Sequence, residues 1–447
     1  MNYDMTEGSI TKNLLKFAFP LMIGNLLQQL YNIADTLIVG RYLGENALAA
    51  VGSSYTLMVF LTSILLGLCM GSGAFFSMQF GSRNFERLKN GFFLSFVLIG
   101  GITLVLNGIV YLGMDAILWF LRVPKQVLGL MQEYLWYIFL GLSATFLYNY
   151  FASLLRAIGN SVVPLCFLGI SAVINIGLDL LFILVFAWGV KGAAAATVLA
   201  QYFSGVGMVI YYWKKCPLLQ VERKHCYWDG RVVKEIAGLS VLTCMQQSIM
   251  NFGILMVQGL VNSFGSVVMA GFAAAVKIDS FAYSPVQDFG NAFSTYVAQN
   301  FGAGKRERIE QGMKGAVLAV LGFCLVISCL VCGFARPLME IFIDASRTDI
   351  VEAGVGYLRI EATFYVGIGL LFLLYGYYRA VRKPGMSVIL TIISLGTRVV
   401  LAYMLSGISW IGVRGIWAAV PIGWGLADLV GVWYFWESRK KSGEKIG

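Results

Sequence analysis

What most restricts this chain is a succession of apolar runs of bilayer-crossing length with only short charged stretches between them. Twelve are counted, at about 14–40, 47–78, 91–113, 131–155, 162–187, 192–213, 235–262, 267–300, 313–334, 354–378, 386–408 and 413–436. A hydrocarbon core about 30 Å thick takes about 20 apolar residues per helical crossing. Lipid satisfies no backbone hydrogen bond, so each run has to bond internally as a helix. The composition agrees: 58% of the 447 residues are hydrophobic and 13% charged, with a mean hydropathy of +0.76. The expected fold is all-α and polytopic, with twelve transmembrane helices in two six-helix lobes related by an internal parallel repeat.

Lys and Arg give the orientation. With both termini cytoplasmic, 23 of the 33 fall on the cytoplasmic side, among them Arg83, Arg87 and Lys89, Lys305, Arg306 and Arg308, and Arg439, Lys440, Lys441 and Lys445. Seven face outward (Arg41, Arg122, Lys125, Lys191, Arg336, Arg347 and Arg414). This is the positive-inside asymmetry of a multi-pass protein of the cell membrane. It accounts for the net charge of +10 without a nucleic-acid partner. Met1–Ser9 reads as a cytoplasmic tail, because the first apolar run starts too late and runs too long for a cleaved signal. The eight cysteines lie in the runs or in the cytoplasmic loop and read as buried small hydrophobes. Cys216, His225 and Cys226 are too loosely spaced to read as a metal site. No cofactor is expected, and the chain is expected to work as a monomer.

The two halves are copies. The loop 214–234 separates a first lobe, 1–213, from a second, 235–447. QFGSRNFERLKNG (79–91) matches NFGAGKRERIEQG (300–312) at an offset of 221, Tyr134-Leu135 and Arg156-Ala157 match Tyr357-Leu358 and Arg379-Ala380 at 223, and Gln28-Gln29 matches Gln246-Gln247 at 218. Each half holds an even number of crossings, so both enter from the same side and are related by an axis along the membrane normal, as in transporters built from parallel repeats.

Against that repeat, acids inside the first lobe stand out. Asp35 lies in the first run, and Asn175 and Asp179 lie in the fifth. A carboxylate at the bilayer centre costs about 2.5–3.5 kcal/mol on insertion scales, and such groups mark ion or substrate paths. Residues four apart share a helix face, so Asn175 and Asp179 reach one small site together. At the repeat offsets Asp35 corresponds to Gly253, Asn175 to Arg398 and Asp179 to Ala402, so the acids are not needed to build a six-helix half. The second lobe carries its own in-run charges: Lys277, Asp279 and Asp288 on the eighth run, Arg359 and Glu361 on the tenth, and Arg398 on the eleventh. Three acids and three bases are expected to pair internally, leaving the first lobe as the coupling site.

PLMIGNLLQQLYNIADTLIVGRYLGENALAAVG (20–52), GSGAFFSMQFGSRN (71–84), GNAFSTYVAQNFGAGK (290–305), NIGLDLLFI (175–183) and KGAAAATVLAQ (191–201) resemble the multidrug and toxic compound extrusion (MATE) family over essentially the whole chain. The resemblance implies a V-shaped bundle of two six-helix lobes and alternating-access export of amphipathic, often cationic, organic compounds in exchange for H⁺ or Na⁺. It also implies a first-lobe cation or proton site at Asp35, Asn175, Asp179 and Thr197, with Tyr134, Asn149 and Gln28 in the surrounding network. Pro20 is the expected hinge of the first helix, because a proline removes a donor and weakens the helix locally.

Neutralising two facing carboxylates suits a proton; Na⁺ would instead gather their oxygens with carbonyls or water. Both ions stay open at this point. The rival expectation is a flippase for a lipid-linked oligosaccharide or another amphiphile, kept alive by the in-run bases Lys277, Arg359 and Arg398. A membrane enzyme is disfavoured by the absence of HExxH and Gly-x-Ser-x-Gly and by a single histidine. GxxxxGK[ST] is also missing, so this chain does not itself draw on ATP.

Overall fold

The structure, a computed structural model, describes residues 4–120 and 125–441; Arg122 and Lys445, used above for orientation, lie outside the described residues. Spans 1 to 6 are Ile10–Leu43, Glu45–Gly81, Phe85–Leu112, Lys125–Ala157, Val162–Val185 and Val190–Lys215. Spans 7 to 12 are Gly230–Asn262, Ser266–Gly302, Arg306–Gly333, Thr348–Ala380, Pro384–Ser406 and Val413–Lys441. Ten of these helices are long and apolar enough to cross a membrane, and the two segments of span 10, bent by 54° between Thr363 and Tyr365, make an eleventh. Span 1, 34 residues long with Pro20 inside it, completes the twelve. The described residues contain no strand.

The repeat written in the sequence is also written in the backbone. Gly44 and Gly265, both with positive φ (85° and 95°), start two 37-residue helices, spans 2 and 8. Positive φ recurs at three further pairs, Arg83/Gly304, Gly159/Arg382 and Gly189/Gly412, again at offsets of 221 and 223. These are the turns between spans, where left-handed backbone reverses the chain and where glycine costs least. Span 4 is interrupted by a 3₁₀ turn at Phe139–Gly141, which the same offset places at the bend of span 10. Span 5 ends in a π turn, Leu181–Val185, that begins two residues after Asp179.

The chain folds as two compact units, two of whose limits fall inside helices, in spans 1 and 7. The first comprises Met1–Met5 and Phe19–Cys244, the second Thr6–Ala18 and Met245–Gly447. The loop 214–234 therefore lies wholly in the first unit, together with the opening turns of span 7. Its attachment is specific. Asn90 at the start of span 3 donates to the carbonyls of His225 (2.9 Å) and Tyr227 (2.8 Å). His225 accepts the Glu222 N–H at Nδ1 (3.0 Å), which leaves its Nε2–H to donate to Glu86 (2.9 Å). The opening of span 7 lies against span 2 so closely that a Cβ at Gly67 or Gly71 would sit 2.4 Å from the Cα of Cys244 or Ser240. In the second unit the segment leading into span 1 is held by Lys305, which donates to Thr6 O (2.8 Å), and by Arg308, which donates to Gly8 O (3.1 Å). The boundary in span 1, between Ala18 and Phe19, immediately precedes the buried Pro20.

Candidate functional site

In the first unit, spans 1, 4, 5 and 6 bring five of the expected residues together. Asn175 and Asp179 are buried on one face of span 5, at 1% and 0% exposure, and Thr197 is buried on span 6. The amide of Asn175 is oriented by its neighbours. With its nitrogen toward the carboxylate it donates to Asp179 Oδ2 (3.0 Å), and its oxygen accepts from Thr197 Oγ1 and Thr197 N (both 3.2 Å). Asp35, half-buried on span 1, lies beside Asp179. Two neighbouring carboxyls can bond each other only through a shared proton, since a carboxylate only accepts. Oδ1 of Asp35 and Oδ1 of Asp179 are buried and have no hydrogen-bond partner. Unpaired oxygens at such depth are costly unless a proton or cation meets them.

Tyr134 on span 4 is buried beside both acids. Tyr31, one turn before Asp35 on the same helix, hydrogen-bonds Thr197 and faces both carboxylates. Sequence reasoning passed over Tyr31, although its four-residue spacing from Asp35 puts it on the acid's face. The wall behind the acids is apolar: Val39, Leu61, Leu135, Ile138, Ile183, Ala194 and Val198 belong to one buried cluster with Tyr134. Two further residues were expected in the network. Asn149 donates to the Thr145 carbonyl of its own helix (2.8 Å), and Gln28 is exposed.

The second unit arranges its charges differently from the expected pairing. Lys277 and Arg359 are exposed, and Asp288 is half-buried. Asp279 is buried and is held by tyrosines: Tyr365 donates to Oδ1 (2.6 Å) and Tyr357 to Oδ2 (3.3 Å). These two tyrosines flank the bend of span 10. Around them Phe272 stacks on Trp417 at 5.2 Å, with Tyr357 edge-on to both. Arg398 lies near Asp279 and Glu361, but its Nε and the Oε1 of Glu361 are buried without hydrogen-bond partners. Hydroxyl donors thus do for Asp279 what a base was expected to do. Sequence reasoning also passed over Asp428 on span 12, although a lone acid in an apolar run was the signal that found Asp35.

A family model described as MatE matches residues 20–181 and 241–404, one segment in each half of the repeat. The chain belongs to the MATE family. It is 30% identical over 450 residues to the probable multidrug resistance protein YpnP of Bacillus subtilis (strain 168), with 99% of each chain covered. It is 26% identical over 450 residues to the probable multidrug resistance protein YoeA of the same strain, with 97% of this chain and 96% of that one covered. The solved outward-facing conformation of a multidrug resistance MATE family transporter of the MOP superfamily has the same fold, with a TM-score of 0.92, 22% identity, and 99% and 98% of the two chains covered. As a MATE protein the chain is a multi-pass membrane transporter for small organic substrates rather than an enzyme.

Proposed function

We propose that this MATE protein is a secondary active efflux antiporter that exports amphipathic, often cationic, organic compounds in exchange for H⁺ or Na⁺. The observation that carries the reading is the Asp35–Asp179 pair: two facing carboxyls on different spans, each with a buried oxygen that no protein group meets. Asn175 and Thr197 orient the pair, and Tyr31 and Tyr134 line it. In the proposed cycle a proton or Na⁺ neutralises the pair, span 1 changes shape at Pro20, and the transporter releases its cargo outside. The orientation is cytoplasmic at both termini in the cell membrane, as the Lys and Arg asymmetry supports.

The driving force is adequate. One charge moving through 100 mV is worth about 2.3 kcal/mol, and a tenfold ion gradient adds about 1.4 kcal/mol. Together they sustain a gradient of several hundredfold in a neutral substrate. For a monovalent cation exchanged one for one the voltage contribution cancels, leaving about tenfold.

The test is transport in proteoliposomes under imposed H⁺ or Na⁺ gradients, comparing the wild type with Asp35→Asn and Asp179→Asn. Both variants are expected to insert normally and to lose gradient-driven efflux by about tenfold or more, equivalent to at least ~1.4 kcal/mol of coupling. Full gradient-driven export by either variant would remove the assignment.

A further inference from the structure

Span 12 carries an acid that the cycle above does not use. Asp428 is half-buried, its Oδ1 is buried without a hydrogen-bond partner, and among the described residues no base forms an ion pair with it. It lies against Gly367 of span 10, where an added Cβ would stand in ordinary contact, 3.7 Å from Asp428 Oδ2 and 3.4 Å from Trp424 Cβ. In the first unit the repeat gives the reverse arrangement. The residues at the same offset of 223 are Gly205 and Ala144, and Gly205 packs with its missing Cβ 2.9 Å from the Ala144 carbonyl. The crossing of the two helices is retained, but backbone contact in one unit is exchanged for a carboxyl in the other. A fold that closes this crossing with glycine has no structural need of the acid.

No hydrogen-bond donor meets Oδ1 of Asp428. On span 10 the Tyr375 hydroxyl bonds Thr391, and the Tyr378 hydroxyl donates to Gly431 O (2.6 Å). On span 11 Thr391 donates to Ser387 O (2.8 Å). Of the charged groups on the neighbouring segments, Arg379 donates to Ser294 (3.2 Å) and Asn291 (3.1 Å), and Arg398 lies near Asp279 and Glu361. A carboxylate only accepts, so the ionised form finds no hydrogen there, whereas the neutral carboxyl brings its own.

We propose that Asp428 is a proton-binding site of this transporter, in the second unit and independent of Asp35 and Asp179. Its ligand is a proton, taken up as a neutral carboxyl and released to water when the site opens.

The experiment is labelling of the full-length protein in proteoliposomes with a hydrophobic carbodiimide, which adds to protonated carboxyls, read by peptide mass spectrometry. It is run in the wild type and in an Asp35→Asn, Asp179→Asn double variant, so that its outcome does not depend on the coupling role of that pair. Adduct at Asp428 is expected in both backgrounds, falling about tenfold per pH unit above its midpoint. Asp428→Glu is expected to keep the pH-dependent adduct, and Asp428→Asn to abolish it and shift the pH profile of transport. No adduct at Asp428 at any pH where the protein is folded would overturn the proposal. So would an Asp428→Asn variant with an unchanged pH profile.

Discussion

The two units have one backbone plan and two different sets of buried acids. They share the positions of four left-handed turns, the interruption of spans 4 and 10 and the close helix crossings, yet none of the acids inside the apolar runs of one unit has an acid at the equivalent position in the other. Where the first unit has Asp35, Asp179 and Thr197, the second has Gly253, Ala402 and Val420. Where the second has Asp279, Glu361 and Asp428, the first has Met58, Ile138 and Gly205. Helix packing in a membrane rests on small residues and close contact rather than on charge, so the plan survives while the polar residues diverge. The acids are additions to a scaffold that does not require them.

That contrast can be broken most severely at Gly253. A Cβ there would lie 2.9 Å from two carbons of Leu395, so the second unit has filled the space that Asp35 occupies in the first. Gly253→Asp therefore adds overpacking, about 1–3 kcal/mol, to an unpartnered charge costing about 2.5–3.5 kcal/mol. The expected outcome is a large fall in thermal stability in detergent or loss of folded protein on size-exclusion chromatography. A well-folded variant would mean that the second unit retains room for the first unit's site.

A smaller effect sharpens the difference in how the two units treat their carboxylates. Tyr365 holds Asp279 at 2.6 Å, and its removal strands a buried acceptor. Tyr365→Phe is expected to cost about 1–3 kcal/mol of stability, seen as a lowered Tm, with the H⁺ or Na⁺ dependence of transport unchanged. A changed ion dependence with an unchanged Tm would assign Asp279 to coupling instead.

The smallest effect tests the first unit by copying the second. Thr197→Val places there the residue found at position 420. It removes a hydrogen bond to Asn175 worth about 0.5–1.5 kcal/mol. The ion or proton concentration for half-maximal transport is expected to rise by about threefold to tenfold with little change in Tm. No change in that concentration would leave Asn175 alone as the residue that orients the acids.

Some of the site was legible because it is local. Asn175 and Asp179 are four apart, and helical geometry alone puts them on one face. Tyr31 and Asp35 obey the same rule. The tyrosines on Asp279 were not legible, because they come from another span and nothing in their own stretch marks them as its partners. Lys277 and Arg359 show the converse: both lie in apolar runs beside acids, yet the faces they occupy turn outward. Counting charges within runs cannot distinguish a base that faces an acid from one on the opposite side of the helix.

The chain's order of residues, taken alone, determined that it crosses a membrane twelve times, that it does so as two copies, and that the first copy carries an acid pair the second lacks. These follow from the free energy of placing side chains in hydrocarbon and from the period of a helix, both of which act within a single segment. Tertiary packing alone decided that Asp35 and Asp179 meet, that Asp279 is satisfied by hydroxyls, and that the compact units divide inside spans 1 and 7. Those outcomes depend on which helix faces approach one another, and that is set by glycines such as Gly67 and Gly71 fitting against a neighbour far away in the chain.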